Sequence, residues 1–271
     1  MTRLLFKLHE ILVKLSWFWE PRHKNKGKSN YSICIVTYCK RFDANFKPLI
    51  KQLASLYNDT EIIVGVNGFH DQEVQKKYLQ KFKEFIGFYH NIIWFSFDTG
   101  QSISKMWNQC SQRSTNQWMI ILNDDVLLAK SFKKSIDQIE LKKNTIHILN
   151  SSWSHFLISK EVFSNVGWFD ERFPGVGNED WDYEIRAILA KTNIDMVKTR
   201  SIVNLVVKTK DFSYSSSEKI INLKYSSSNW DFFKKKWSIR NDFEEGYLRT
   251  RFPQIPYVKL NTGMETPNFY K

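Results

Sequence analysis

The chain has 271 residues, 42% of them hydrophobic and 15% aromatic, which suffices for one large domain with appendages and excludes a generally disordered chain. Its 40 basic and 28 acidic side chains give a net charge of +12, which favours anionic partners such as a membrane surface, a nucleic acid or a phosphorylated substrate. The three cysteines, Cys34, Cys39 and Cys110, lack the spacing of a zinc site, and such cysteine usage is typical of a reducing cytosol.

The first predicted element is an amphipathic helix over residues 4–19. Apolar side chains recur there at the i, i+3, i+4 spacing of a helix, while Lys7, Glu10 and Lys14 take the other face. Charge interrupts the segment too often for a membrane span, and the small-residue cleavage site of a signal peptide is missing. The helix would lie in a membrane interface, or pack on its own domain or a partner. The basic stretch over 21–30 is a predicted linker that would add attraction to acidic lipid.

Strands and helices alternate from residue 31 onward. This order of elements predicts a mostly parallel sheet with helices on both faces. Ligands of such sheets bind beyond the carboxyl ends of the strands, so the loops after the first four strands should converge on one cleft. The strands are predicted over residues 32–38, 62–66, 92–97 and 118–122, with helices over 46–57, 74–85 and 102–111 between them.

Beyond residue 130 the order of elements loosens. Residues 211–228 are rich in Ser and Lys and are expected to be mobile. Aromatic residues alternate with lysines between 230 and 237, which predicts a last amphipathic helix. Short strands are predicted over residues 145–149, 156–158, 195–198 and 202–207, and a helix over 179–191.

An acidic cluster, Asn123, Asp124 and Asp125, directly follows the fourth predicted strand. Mg²⁺ and Mn²⁺ prefer hard oxygen ligands and take only one or two carboxylates from a protein, the rest coming from water and phosphate. Such an ion would neutralise a leaving diphosphate as a Lewis acid. Asn and Asp are also favoured in ordinary turns at strand ends, so the cluster fits either a metal-bound nucleotide or a structural turn.

A second acidic group begins the helix predicted at residue 179. Asn178 is its predicted N-cap, and Glu179 and Asp180 would occupy the first turn. Backbone N–H groups and the helix dipole hold a carboxylate ionised there, which suits a general base. First-turn acids are also ordinary helix chemistry, and Asp182 would simply pair with Arg186 one turn later.

Glycines and aromatic residues lead into this helix, in a segment that we term the glycine–aromatic loop (residues 167–178). Trp168, Phe169 and Phe173 offer flat apolar faces of the kind that stack on sugars. Gly175 and Gly177 allow a backbone to approach a ligand closely. Ordinary helix chemistry does not explain this approach, so the loop is predicted to bind a sugar acceptor.

With both motifs, the chain resembles the GT-A glycosyltransferases, in particular glycosyltransferase family 2 and enzymes with a galactosyltransferase-type C-terminal motif. The resemblance runs from about Tyr31 to about Trp237. It implies an α/β, Rossmann-like GT-A domain over residues 31–207, divided into a nucleotide-sugar half (31–130) and an acceptor half (131–207). The flanks would be an amphipathic helix with its basic linker (1–30) and a basic, aromatic C-terminal helical extension (208–271).

The resemblance also implies roles for single residues. Asp125 would hold Mn²⁺ or Mg²⁺, with Asn123 where the family motif has its first Asp, and Asp180 would be the catalytic base with Glu179 beside it. The second strand usually ends near an Asp, where this chain has Val66 or Asn67. The implied donor-binding residues are Thr37, Tyr38, Arg41, Asn67, Gly100, Ser104, Asn108, Asn123 and Asp124, and the implied acceptor-binding residues are Trp168, Phe169, Gly175, Gly177 and Asn178.

One departure from the family concerns the metal. Related enzymes often supply a further ligand, commonly His, after the base helix, whereas no His follows Asp180 in this chain. Either the ion has fewer protein ligands, or a basic group such as Lys208 assists the diphosphate, or activity is weakened. His155 precedes the base helix and would line the cleft or serve the structure of a strand.

The expected function is therefore a metal-dependent, inverting transfer of a hexose from a nucleotide-sugar, with UDP favoured, to a hydroxyl of a glycan or lipid-linked acceptor. The basic termini suggest a cytoplasmic protein, peripheral at the inner face of the cell membrane, that builds a bacterial surface polysaccharide such as capsule or lipopolysaccharide. The alternatives are a retaining transferase of the same fold, a non-catalytic sugar-binding relative and a nucleic-acid-binding protein. Nucleic acid is not expected, because the lysines cluster in terminal segments and no nucleic-acid-binding motif is present.

Overall fold

A computed structural model describes residues 3–19, 29–205, 227–239 and 259–270 of the chain. The strands are β1 (Tyr31–Thr37), β2 (Ile62–Val66), β3 (Ile92–Ser96), β4 (Trp118–Asn123), β5 (Val126–Leu128), β6 (Thr145–Leu149), β7 (His155–Ser159), β8 (Asn193–Val197) and β9 (Ile202–Asn204). The helices are α1 (Arg3–Trp19), α2 (Lys47–Leu56), α3 (Gln72–Ile86), α4 (Ile103–Arg113), α5 (Phe132–Asp137), α6 (Lys160–Val166), α7 (Glu179–Leu189) and α8 (227–236).

Seven strands form the central sheet, in the order β3-β2-β1-β4-β7-β6-β8. The strands β3, β2, β1 and β4 are mutually parallel, β7 runs antiparallel to both of its neighbours, and β6 and β8 are parallel. The prediction of a mostly parallel α/β sheet is confirmed. Strands β1, β2 and β4 are runs of buried apolar residues, as expected when helices cover both faces of a sheet.

Helices from different parts of the chain cover the two faces. On one face, α2 and α3 contribute Leu49, Leu53 and Phe82 to a core with the inward side chains of β1 and β2. On the other face, α4 contributes Met106 and Cys110. The central strands β1, β2 and β4 are thus buried on both sides, which leaves the ends of these strands for ligands.

The carboxyl ends of the first four sheet strands meet at one such edge. The register pairs Thr37 with Val66, Val66 with Ser96, and Val36 with Asn123. Backbone hydrogen bonds continue the pairing into the loops, since Asn67 N donates to Thr37 O over 2.8 Å. The predicted convergence of these loops is confirmed.

Elements outside this core differ from the prediction in several places. The short elements β5, α5 and α6 are not predicted by apolar periodicity, because each is too short to show a period. A side-chain cap accounts for α6, where Ser159 Oγ accepts a hydrogen bond from Val162 N over 3.2 Å. The strand β9 ends at Asn204, three residues before its predicted end. Lys208 and the Ser- and Lys-rich segment as far as residue 226 lie outside the described residues.

The helix α1 packs on the two-stranded ribbon formed by β5 and β9. Val13 is buried against Ala129 and Val203. Trp17 Nε1 donates to the carbonyl of Leu128 over 2.7 Å. One face of α1 is therefore docked on its own domain, which was one of the two expectations for this helix.

Candidate active site

The acidic cluster (Asn123–Asp125) connects β4 to β5 at the edge where the loops converge. Thr37 Oγ1 donates to Asp124 over 2.7 Å. One terminal nitrogen of Arg41 lies 2.9 Å from a carboxylate oxygen of Asp124 and 2.9 Å from one of Asp125. Four residues that the sequence predicts for the donor side thus come together, although 87 positions separate Thr37 from Asp124.

Burial sets the protonation of this cluster. It raises the pKa of Asp124 to about 6, although Arg41 lowers it. Burial also raises the pKa of Asp125. The pKa of Arg41 is raised, because its two carboxylate partners outweigh the effect of burial on the guanidinium. Two buried acids share one guanidinium, so a further cation would be electrostatically favoured when both are ionised.

Two oxygens of the cluster fit a bound metal ion. Asp125 Oδ1 and Asn123 Oδ1 are buried and have no hydrogen-bond partner in the part of the chain that is described. Buried oxygens without a partner are costly, and hard oxygens are what Mg²⁺ and Mn²⁺ take. Among the described residues, no three His, Cys, Asp or Glu side chains are grouped to hold a metal. The arrangement fits an ion with few protein ligands.

Strand β9, which follows α7 and β8, reaches this cluster but carries no histidine. Leu205 N donates to the carbonyl of Asp125 over 2.7 Å, and β9 places Asn204 opposite Val126. His155 is buried in β7, where burial lowers its pKa to about 4 and its Nδ1 lies 2.9 Å from Ser154 Oγ. It is a neutral strand residue in this structure.

Two predicted donor-binding asparagines hold loops instead. Asn67 Nδ2 donates to Gln101 O, and its Oδ1 accepts from the backbone of Gly68 and Gln101, so the side chain joins the loops after β2 and β3. Asn108 is fully buried, and its amide exchanges hydrogen bonds with the backbone of Phe169 over 2.9 and 3.0 Å. Both side chains thus position loops in this structure, and their direct contact with a donor stays a prediction.

The remaining donor-side residues keep their predicted places. The ring of Tyr38 lies 5.6 Å from the guanidinium carbon of Arg41. Gly100 is exposed in the loop after β3. Ser104 is buried in α4, and its hydroxyl has no hydrogen-bond partner among the described residues. Their contact with a donor stays a prediction.

The glycine–aromatic loop enters α7 through three residues with left-handed or related backbone. Gly175, Gly177 and Asn178 have φ angles of 62°, 119° and 66°. Such angles favour glycine and asparagine, which explains why these residue types occur here. Asn178 occupies the N-cap position, but its side chain makes no capping hydrogen bond. The predicted N-cap position is confirmed, but the left-handed backbone there differs from the extended one that side-chain caps use.

The first turn of α7 holds two carboxyl groups in different environments. Glu179 is buried and accepts a hydrogen bond from Gly177 N. Burial, and then the charge of Asp180, raise the pKa of Glu179 to about 8. Asp180 is half-buried and accepts from Trp181 N over 2.9 Å. Near neutral pH, the raised pKa favours the protonated form of Glu179.

A third carboxyl group, Glu184, lies one turn beyond Asp180 and was missed by the sequence analysis. Trp153 Nε1 lies 3.4 Å from its carboxylate. Burial, with a smaller contribution from the charge of Asp180, raises the pKa of Glu184 to about 7, although the hydrogen bond from Trp153 lowers it. The i, i+4 spacing from Asp180 was the available signal, since that spacing places both side chains on one helix face.

Only part of the predicted aromatic platform is accessible. The ring of Phe169 is fully buried and stacks on Tyr183 with centroids 3.9 Å apart. Phe173 is also fully buried. Both were predicted to face a sugar, and both predictions are wrong, because these rings build the core beneath the loop. Trp168 is half-buried, with one face stacked on Phe163 at 4.6 Å.

The C-terminal helix α8 fixes the glycine–aromatic loop from the outside. Asn229 is fully buried, and its Nδ2 lies 2.9 Å from both Pro174 O and Gly177 O. From the inside, Ile103 N at the start of α4 donates to Gly175 O over 2.9 Å. The loop is therefore held between the donor half and α8.

A buried ion network connects α8 to both ends of this region. Lys236 Nζ lies 2.7 Å from Asp170 and 2.5 Å from Asp182, and all three side chains are fully buried. Arg172 also pairs with Asp170 over 2.7 Å, and the predicted pair of Asp182 with Arg186 is confirmed at 2.9 Å. Burial raises the pKa of Asp170, but Arg172 and Lys236 outweigh it and bring the value to about 2. Burial lowers the pKa of Lys236.

A family model described as "Glycosyltransferase like family 2" matches residues 105–237, a segment that holds both acidic groups and α8. Residues 105–237, just under half of the chain, are therefore a glycosyltransferase family 2-like domain. The galactosyltransferase-type motif within it stays a prediction. No curated protein matches the sequence.

Solved structures resemble the fold at low sequence identity. A mannosyltransferase, PcManGT from Pyrobaculum calidifontis, solved with GDP-Man and Mn²⁺, has a TM-score of 0.50 at 10% identity and covers 76% of this chain and 66% of its own. GalNAc-T7, solved with UDP, GalNAc and Mn²⁺, has a TM-score of 0.49 at 10% identity, and the match covers 82% of this chain and 54% of GalNAc-T7. TarS from S. aureus has a TM-score of 0.46 at 13% identity, and the match covers 80% of this chain and 41% of TarS. This chain thus spans about two fifths to two thirds of these proteins, and its fold is the GT-A fold.

The ion network predicts a large effect of Lys236→Met on stability. The substitution removes the cation that two buried carboxylates share, and breaking a buried pair typically costs about 3–5 kcal/mol. Chemical unfolding should show a loss of this size. Lys235→Met is the matched control, because Lys235 is exposed on the same helix. Equal unfolding free energies for the two variants would contradict the bridging role of Lys236.

Proposed function

We propose that the protein is an inverting glycosyltransferase that moves a hexose from a nucleotide-sugar, with UDP favoured, to a hydroxyl of a glycan or lipid-linked acceptor. The observation that carries the proposal is the first turn of α7. A half-buried carboxylate, Asp180, stands there beside a protonated Glu179, on a loop that α4 and α8 hold from two sides. Bacterial surface polysaccharide synthesis is the setting that we favour.

In the proposed reaction, Asp180 accepts the proton of the acceptor hydroxyl as the hydroxyl oxygen attacks the anomeric carbon. The bond from that carbon to the diphosphate breaks on the opposite face of the sugar, which inverts the anomeric configuration. Proton transfer to a positioned side chain contributes about 10²–10⁴-fold to such a rate. Glu179, being protonated, adds no second negative charge and leaves Asp180 as the proton acceptor.

On the donor side, Arg41, Thr37 and Tyr38 are placed at the strand ends where a nucleotide would lie. Asp125, with the amide oxygen of Asn123, would hold Mn²⁺ or Mg²⁺. When bound, the ion would neutralise the diphosphate as it leaves. Asp124 would stay with Thr37 and Arg41 and contact the ribose or sugar.

On the acceptor side, the accessible part of Trp168 and the backbone at Gly175 and Gly177 are the proposed contacts. Asn178, whose side chain makes no cap, is placed beside Asp180 and would orient the acceptor. A non-catalytic sugar-binding protein is the second candidate, because Asn replaces an acid at position 123 and no three-residue metal group lies in the described residues.

Asp180→Asn should lower sugar transfer by about 10²–10⁴-fold while leaving UDP binding unchanged, because the amide cannot accept the proton. Glu179→Gln is the matched control. Since Glu179 is protonated near neutral pH, its neutral amide analogue should keep most of the activity at pH 7. Radiolabelled sugar transfer and UDP-induced thermal shifts measure the two properties. Full activity of Asp180→Asn would refute the assignment of Asp180 as the base. The anomeric configuration of the product, compared with that of the donor, separates inverting from retaining transfer.

Metal use can be tested without any acceptor. UDP with Mn²⁺ should raise the unfolding temperature more than UDP with a chelator, because ligands that bind the folded state stabilise it by mass action. Asp125→Asn should remove this difference. Asp59→Asn, at an exposed position, should keep it. If UDP raises the unfolding temperature of the unmodified protein equally with and without metal, the proposed metal site is refuted.

A further inference from the structure

The helix α1 has two faces with different surroundings. One face is docked, through Val13, Trp17 and the hydroxyl of Ser16, which accepts from Lys130 N over 3.0 Å. His9 Nε2 also lies 2.9 Å from a backbone carbonyl, that of Arg200. These contacts fix the rotation of the helix about its axis. The side chains on the rest of the helix surface are therefore held outward.

Much of that outward surface is apolar. We term it the apolar stripe, and it consists of Leu5, Leu8, Ile11, Leu12, Leu15, Phe18 and Trp19. Positions 5, 8, 12, 15 and 19 recur at spacings of three and four, so they form one continuous row on the helix. Phe18 and Trp19 are 80% and 81% exposed.

The concentration of apolar surface in this helix is unusual for the molecule. Thirteen large hydrophobic side chains are exposed among the described residues, and seven of them lie in the 17 residues of α1. The other six are spread over the rest of the described chain. Single exposed apolar residues need no explanation, whereas a continuous row of them marks a surface that meets an apolar partner.

Charge beside the stripe identifies the partner. Lys7 and Lys14 are exposed on the same helix. The first 30 residues of the sequence carry seven Lys or Arg and two Glu, and four of the basic residues fall in 22–28, directly after the helix. Cations next to an apolar row match the headgroups and acyl chains of an acidic bilayer. No helix within the described ranges is long and apolar enough to cross a bilayer, so contact would be at the surface.

We propose that the apolar stripe of α1 docks on the surface of an acidic lipid bilayer and holds the active site close to it. The ribbon that carries α1 begins next to the acidic cluster, because Val126 follows Asp125 directly. Trp17 is bonded at Leu128, three residues from Asp125, which is about 10 Å along a strand. With a helix about 10 Å across, the donor site lies at most about 20 Å from the headgroups.

This distance suits an acceptor whose sugar is attached to a lipid. A soluble acceptor gains nothing from such a position, whereas a lipid-linked one is confined to the layer next to the headgroups. The choice of acceptor rests on the proposed function. The membrane contact does not, because it needs neither donor nor acceptor.

The full chain should sediment with vesicles of phosphatidylglycerol and phosphatidylcholine, and less with phosphatidylcholine alone. The double substitution Leu8→Glu with Leu12→Glu should lower partitioning by about tenfold or more, because two side chains lose their burial in lipid. Phe88→Glu with Met196→Glu is the matched control. It makes the same change at two exposed apolar residues outside α1 and should leave binding within twofold.

Three results would overturn the proposal. One is unmodified protein that fails to sediment with anionic vesicles, and another is equal binding by the Leu8 and Leu12 double variant. The third is a double variant that unfolds at a lower temperature or changes a dimer into a monomer in light scattering, since the stripe would then cover protein. Vesicle binding without sugar transfer would refute only the proposed function. Sugar transfer without vesicle binding would refute only the docking of the apolar stripe on a bilayer.

Discussion

The buried ammonium of Lys236 is the interaction on which the acceptor side of the site depends. It lies between Asp170, at the start of the glycine–aromatic loop, and Asp182, in the first turns of α7, and the proposed base lies in the segment between them. Three buried charges are tolerable only together, because each one alone would face a large desolvation cost. The loop can therefore take its shape only when α8 is docked. A helix that the sequence places in a C-terminal extension is in this sense part of the site.

The acids of α7 show how environment gives one residue type several roles. Asp182 is fully buried and paired with Lys236 and Arg186, so it serves the structure. Glu179 is buried, has no ion pair among the described residues, and its raised pKa favours the neutral form. Asp180 is half-buried and is the residue that we propose as the base. Spacing alone cannot separate these roles, because Lys236, the second cation of Asp182, lies more than 50 positions away in the chain.

Sequence patterns predict well what depends on local order. The first four sheet strands, their shared edge and the start of α7 at Glu179 follow from apolar runs that end in polar turns, and each is confirmed. What fails depends on distant partners. Phe169 looks like a sugar platform until Tyr183 covers it, and Asn108 looks like a donor contact until the backbone of Phe169 uses its amide, 61 positions away. A loop rich in aromatic rings can equally be the lining of a core.

The absence of a histidine after Asp180 is compatible with the proposed chemistry for a physical reason. Among the described residues, this site offers one carboxylate oxygen and one amide oxygen without partners, and Arg41 already balances part of the negative charge. So few ligands would bind a divalent ion weakly, since such ions need about six oxygens. The diphosphate of a donor supplies oxygens and negative charge that the protein lacks. The metal ion and the donor would then bind together. A further protein ligand such as histidine would strengthen binding of the free ion more than binding of the ion with its donor diphosphate.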